Sequence, residues 1–267
     1  MTRTIGLIGT GMIGTTLARL AIAAGIDVLL SNSRGPESLR GLVADLGPRA
    51  TASTVADAAV TGDIVIAAIP MSAYRSLQGD LLKGKIVIDT MNYYPTGDDH
   101  IPILDEAKLT SSELVQQHIK GSTVVKALFN LDFHHLLTNA RPHRHPERTT
   151  LPIAGDDEEA KSIVAGFMDE IGFDALDTGT LAASWRIEPD TPIYVWPYVP
   201  SMPDHLSGED RKKWYCEHAG NPVTRETAQN LVDEAIRRLP AGGLPERLPP
   251  EHLDLVAQIF ASRSLVQ

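Results

Sequence analysis

The residues best suited to chemistry stand near the start of the chain, where Gly9-Thr10-Gly11-Met12-Ile13-Gly14 spells G-x-G-x-x-G. An apolar run at 4–8 precedes the motif and a helical pattern at 12–24 follows it. That strand-to-helix context is what turns the glycine pattern into a dinucleotide grip. Gly9 permits the tight turn, Gly11 lets the backbone approach a pyrophosphate, and Gly14 lets helix and strand pack closely. The helix start then offers free N–H groups and the positive end of its dipole to the phosphates. Further on, a strand at 27–31 leads into Asn32-Ser33-Arg34-Gly35, where an NAD site carries an acid for the ribose 2′-hydroxyl. No acid stands there. Amide and hydroxyl donors beside a guanidinium fork suit a 2′-phosphate, which a carboxylate would repel. The sequence therefore predicts NADP(H), with Asn32, Ser33 and Arg34 around its 2′-phosphate. The competing reading makes Arg34 a solvated turn residue ahead of the break at Gly35-Pro36.

Two further strand ends should lie over the cofactor, because open α/β sheets bind ligands outside the carboxyl ends of their strands. Ile69 and Pro70 are expected to wall the ribose–nicotinamide half. Asn92 either hydrogen-bonds that half or serves as a turn residue bonded to its own backbone. Tyr93 and Tyr94 lack the Tyr-x-x-x-Lys arrangement of short-chain dehydrogenases and read as pocket wall or core. His134-His135 and His143-x-His145 have no acid or Cys at supporting spacing, so no metal site is expected. His134 or His135 is either a solvated or capping histidine or a proton donor facing a cleft. Glu188 reads as structural, and no catalytic side chain is assigned.

These side chains need a frame. Continuous Ile, Val, Leu and Ala runs at 4–8, 27–31, 49–52, 63–69, 85–89 and 123–128 predict parallel strands covered on both faces. Helical patterns at 12–24, 37–46 and 103–120 alternate with them, which predicts a doubly wound parallel sheet. After a His- and Pro-rich loop at 139–150, a strand at 151–154 begins a second part of the chain. A helix capped by Asp156 and ended by Gly172 follows, then a strand at 173–177. Asn221-Pro222 reads as the start of a helix whose apolar stripe runs from Ala228 to Leu239, and a last helix is expected at 251–262. The expected fold is α/β: a Rossmann-type doubly wound parallel sheet over 1–140 and a smaller α+β C-terminal lobe over 151–267, with an extension from about 195.

The composition narrows the partners. A chain of 267 residues buries a sizeable core without staples, and its one cysteine, Cys216, excludes an intramolecular disulfide framework. With 24 basic against 34 acidic residues the net charge is -10, which argues against a nucleic-acid binder. No apolar run is long enough to span a bilayer and no signal-peptide core opens the chain, so a cytoplasmic protein is expected.

The segments GLIGTGMIGTTLA, SNSRGPESL, DIVIAAIP, KIVIDTMNYYP, VVKALFN, LPIAGDDEEAKSIV and GFDALDTGTLAASWRIEPDTPIY resemble the coenzyme F420-dependent NADP oxidoreductases, from Thr4 to about Tyr194. The resemblance implies hydride exchange between NADP(H) and a deazaflavin held in a cleft between the two parts of the chain. It also implies that the protein supplies positioning rather than a proton-shuttling dyad. Carried over by motif, Thr10, Gly11, Met12 and Ile13 form the cofactor loop, Ser33 and Arg34 the 2′-phosphate site, and Ala127, Leu128 and Phe129 the cleft lining. Residues after Tyr194, including Trp196-Pro197-Tyr198 and Trp214-Tyr215, depart from the family pattern. They leave open a reductase of small imine or carbonyl compounds, or a non-catalytic NADPH sensor. A small-molecule second substrate and a homodimer are expected.

Overall fold

Aliphatic runs without polar alternation need cover on both faces, and the computed structural model, which describes residues 3–95, 100–203, 205–239 and 241–242, shows what provides it. The strands are β1 (Thr4–Ile8), β2 (Asp27–Ser31), β3 (Ala50–Ala52), β4 (Ile64–Ala67), β5 (Ile86–Asp89), β6 (Thr123–Lys126), β7 (Thr150–Gly155) and β8 (Asp174–Asp177). They form one sheet in the order β3-β2-β1-β4-β5-β6-β7-β8. The first six are parallel; β7 pairs antiparallel to β6 through Val125↔Gly155 and Lys126↔Ala154, and β8 runs parallel to β7. The helices are α1 (Met12–Ala23), α2 (Arg40–Leu46), α3 (Val55–Thr61), α4 (Pro102–Asp105), α5 (Ser111–His118), α6 (Phe133–Thr138), α7 (Glu158–Glu170), α8 (Gly208–Glu217) and α9 (Arg225–Asp233).

Successive residues of a strand point to opposite faces, and β4 shows the consequence. Ile64 and Ile66 join Leu17 and Leu20 of α1 in one core, while Val65 and Ala67 join Val115 of α5 and Ala59 of α3 in the other. Burying one such side chain contributes about 1.5–3 kcal/mol. A one-residue slip would exchange the two sets between cores shaped for the other, so the register is strongly specified. The strand order reverses between β1 and β4, which opens a crevice at the carboxyl ends of those strands.

Several expected elements are corrected. The helix predicted at 103–120 divides into α4 and α5: Ala107 takes a φ of 49°, and Thr110 starts a new helix with a reciprocal cap to Glu113. α3 and α6, which the apolar pattern does not announce, are capped by Thr54 and Asp132. Asp157 rather than Asp156 caps α7, accepting from Ala160 N at 2.8 Å, while Asp156 accepts from Leu181 N at 2.9 Å. Thr224 rather than Asn221 caps α9, and Ile236 and Leu239 lie beyond its end, 68% and 69% exposed. The helix expected at 251–262 falls outside the described residues. β7, α7 and β8 continue the nucleotide-type sheet, and Phe167, Phe173 and Tyr198 share one core with Leu7 and Leu30. The loop at 139–150 is tied down by buried Arg148, which donates to Asp174 Oδ1 and Asp169 Oδ1, both at 2.6 Å. Among the described residues no helix is long and apolar enough to cross a membrane.

Candidate dinucleotide-binding site

The crevice at the β1–β4 switch is a groove of about 440 Å³. Gly9, Thr10 and Gly11 enter it from β1, Asn32, Ser33 and Arg34 from β2, and Ile69 and Pro70 from β4. Eight of the predicted site residues thus meet in one place. Val55, Ala73, Ser76 and Gln78 also line it. Sequence reasoning misses these four, because nothing in their spacing marks them and only the short turn over 71–76 and the start of α3 bring them there.

The three motif glycines have different reasons to be glycine. Gly9 has a φ of 104°, and a Cβ there would lie 2.2 Å from Ala68 O. A Cβ on Gly14 would lie 2.0 Å from Gly9 O, so α1 could not approach β1 as it does. Gly11 is unlike both. Its backbone is extended, at φ -76° and ψ -165°, which any residue adopts, and a Cβ there would meet nothing within 4 Å. The fold makes no demand for glycine at position 11, which borders the open groove. Gly11 caps α1 without a side-chain hydrogen bond, and no acidic residue stands in the first turn. Met12, Ile13 and Gly14 present their backbone N–H groups at the positive end of α1, while the side chains of Met12 and Ile13 pack against Phe133 and Tyr215.

Asn32 plays a different part from the one its type suggests. Its Oδ1 accepts from Arg34 N at 2.9 Å, and its Nδ2 donates to Ser38 Oγ at 3.0 Å and Thr10 Oγ1 at 3.3 Å. It shapes the loop after β2 and ties it to the glycine turn. Ser33 and Arg34 are exposed at the groove. Among the described residues no carboxylate pairs with the Arg34 guanidinium, whereas Glu37 three residues on is taken by Arg40. The groove thus ends in a fork of cationic donors and a hydroxyl, the chemistry that a phosphate dianion requires.

Beyond Pro70, Asn92 is half-buried rather than part of the groove wall. Its Nδ2 donates to Phe129 O at 3.1 Å and Tyr194 Oη at 3.0 Å, and its Oδ1 is buried without a protein partner. A turn residue bonded to its own backbone is therefore not what Asn92 is. An orphaned buried acceptor costs about 1–3 kcal/mol and suits a carboxamide N–H. Ala127, expected beside the cofactor, is fully buried and donates its N–H to Asp89 O at 3.2 Å. Leu128 and Phe129 are buried as well, and none of the three lines the groove.

Beneath this edge lies a buried ionic cluster. Lys126 and Asp89 stand 3.8 Å apart, both fully buried. Lys126 Nζ also donates to Met91 O, while Ser112 Oγ and Met91 N donate to Asp89 at 2.6 and 2.8 Å. Glu188 Oε1 accepts from Ser111 N at 3.0 Å and Ser111 Oγ at 2.8 Å, in keeping with its structural reading. The two adjacent histidines are neither solvated nor aimed into the groove. Both are buried against Tyr215 of α8, and His135 Nδ1 lies 2.7 Å from Asp132 Oδ2. Burial pushes the Asp132 carboxyl up, but hydrogen bonding and attraction from His135, with a hydrogen bond from Tyr215, outweigh it and hold the group at about 2.

Comparison with known proteins agrees with this geometry. The family model described as NADP oxidoreductase, coenzyme F420-dependent, matches residues 4–93. The chain is 31% identical over 186 residues to metalloreductase STEAP3 of Rattus norvegicus, covering 69% of this chain. It spans about a third (35%) of the length of that curated relative. Among solved structures it is similar to the hypothetical protein SMa0349 from Sinorhizobium meliloti, at 31% identity and a TM-score of 0.60, covering 69% of this chain and 88% of that one. A protein from Arthrobacter sp. FB24 described as an F420-dependent NADP-reductase shares the fold, with a TM-score of 0.58 at 20% identity over 69% of this chain and 87% of that one. The glycine turn and the cationic loop after β2 thus lie within residues 4–93, the stretch that matches the coenzyme F420-dependent NADP oxidoreductase family.

Proposed function

We propose that this protein moves hydride between NADP(H) and a small second molecule bound past Ile69 and Pro70, and that the second molecule is a deazaflavin of the coenzyme F420 type. The observation that carries the cofactor half is Gly11, a glycine whose only evident use is to leave the groove open beside an uncapped helix end. The backbone N–H groups of the first turn of α1 would hold the pyrophosphate. Ser33 and Arg34 would hold the 2′-phosphate, with Asn32 fixing their loop. Ile69 and Pro70 exclude water from the nicotinamide half, and Asn92 Oδ1 accepts from its carboxamide. When bound, NADPH supplies the hydride; the chain supplies orientation and a dry surface.

A second reading, reduction of a small imine or carbonyl compound, is favoured by the extension. Tyr215 of α8 packs on His134 and His135 and meets Met12 and Ile13, so residues after 195 close over the start of α1. That roof would leave a smaller acceptor pocket. We take the protein to be a cytoplasmic homodimer under either reading. Rapid mixing of protein, NADPH and oxidised deazaflavin, followed at the NADPH absorbance band, separates the possibilities. Stoichiometric loss of NADPH is the expected result. No loss with deazaflavin but turnover with an imine or carbonyl panel overturns the deazaflavin assignment. Tight NADPH binding with no transfer to any acceptor would mark a sensor.

A further inference from the structure

Reduction of either acceptor takes up a proton as well as a hydride. We propose that Tyr94 donates that proton, with Tyr194 and Asn92 as positioning residues behind it; this rests on the oxidoreductase reading above. β4 and β5 end in register, Ala67 opposite Asp89. Residues 68–70, which enter the groove, and 90–94, which carry Asn92 and Tyr94, therefore leave the sheet side by side.

The three side chains form a hydrogen-bonded series with a fixed direction. An amide nitrogen only donates, so Asn92 Nδ2 gives an N–H to Tyr194 Oη at 3.0 Å. Tyr194 is buried, and its hydroxyl also meets that of Tyr94. If Tyr194 accepted from both neighbours, its own proton would be stranded in the interior at a cost of about 1–3 kcal/mol. Tyr194 therefore donates to Tyr94 Oη. Burial, with the charge of Tyr94, the hydrogen bond to it and the negative charge of Asp132, pushes the Tyr194 hydroxyl well above the usual phenol range, so Tyr194 keeps its proton. Asp132, at the head of α6, is the carboxylate whose charge acts on Tyr194. Tyr94, like Asn92, is half-buried whereas Tyr194 is buried, so of the two hydroxyls it is the one nearer to a bound molecule's reach. A phenol that accepts a hydrogen bond leaves a stabilised phenolate behind, which makes it the better acid.

For an acceptor C=X, or its conjugated equivalent in a deazaflavin, the step balances as follows. Hydride from NADPH, which is oxidised to NADP⁺, forms the C–H bond. The π pair moves onto X, and X–H forms as the Tyr94 O–H breaks. The phenolate, bonded by Tyr194 O–H, is reprotonated from water.

The test uses Tyr94→Phe and Tyr194→Phe, which keep both rings. Tyr94→Phe is expected to lower kcat about 10²-fold or more, with the NADPH Kd unchanged and the solvent isotope effect on turnover changed. Independently of turnover, tyrosines labelled at the ring carbon bearing oxygen can be titrated by NMR without nucleotide, the Tyr94 signal being the one lost in Tyr94→Phe. That signal should titrate about 1 pH unit higher in Tyr194→Phe than in the wild type. Full activity of Tyr94→Phe, or a Tyr94 titration unmoved in Tyr194→Phe, overturns the proposal while the function stands. A wild type that reduces neither acceptor class overturns the function and the proton donor together.

Discussion

Replacing Lys126 with methionine is expected to destabilise the protein by about 3–5 kcal/mol, the cost of leaving one member of a buried ion pair alone. Lys126 and Asp89 are both fully buried. The ammonium also donates to Met91 O, reaches Ser111 Oγ at 3.4 Å and sits 4.5 Å from the centre of the Phe129 ring. Methionine fills the space with no donor. Among the described residues Asp89 then keeps Ser112 Oγ and Met91 N against its full charge. In a chain of this size each kcal/mol moves the melting temperature by roughly 2–4 °C, so a drop of roughly 10 °C is expected in a thermal melt. Adding Asp89→Asn should recover more than half of it, since an amide there needs no counter-ion. An unchanged melt for Lys126→Met would mean that Asp89 is satisfied without the lysine. The same cluster holds the 89–92 turn through Met91, so the single variant should also weaken whatever binds at Asn92.

The second large effect is on binding. Gly11→Val should weaken NADPH by about 2–3 kcal/mol, in the range of overpacking a close contact, which is roughly 10²-fold in Kd. The fold should lose only about 1 kcal/mol, because valine is a poor N-cap but fits the extended backbone. NADH should suffer equally, since the pyrophosphate is common to both cofactors. Calorimetric titration beside a thermal melt separates this from Gly14, where a Cβ would sit 2.0 Å from Gly9 O and the fold itself would suffer. Undiminished NADPH binding by Gly11→Val would place the phosphates elsewhere.

The parallel strands were legible because β1, β2, β4, β5 and β6 carry aliphatic residues at successive positions rather than alternating with polar ones, a pattern that two-sided burial explains. Short helices were not, because their signals are caps rather than periodicity. Thr110-Ser111-Ser112-Glu113 is a capping box in plain view that splits the helix expected at 103–120, and Thr54 and Asp132 cap segments too short to show an apolar stripe. At the site, the glycine turn and the cationic loop could be read because their residues are neighbours in sequence. The loop-shaping work of Asn32 depends on Ser38 and Thr10, which spacing alone does not bring together. The Asn92–Tyr194 contact joins residues 102 positions apart, and the Asp132–His135 pair lies under Tyr215 from the distant α8. Such contacts are products of tertiary packing, and no local pattern encodes them.

On the reading proposed above, the loop after β2 holds a 2′-phosphate through Ser33 and Arg34. Parallel calorimetric titrations of the wild type and Arg34→Ala with NADPH and with NADH test it most directly. The wild type should prefer NADPH. Arg34→Ala should lose about 1.5–3 kcal/mol of NADPH affinity, the size of a hydrogen bond to a charged group, and keep its NADH affinity nearly unchanged. Equal wild-type affinities for the two cofactors, or equal losses in Arg34→Ala, would contradict the claim and reduce Arg34 to a solvated turn residue.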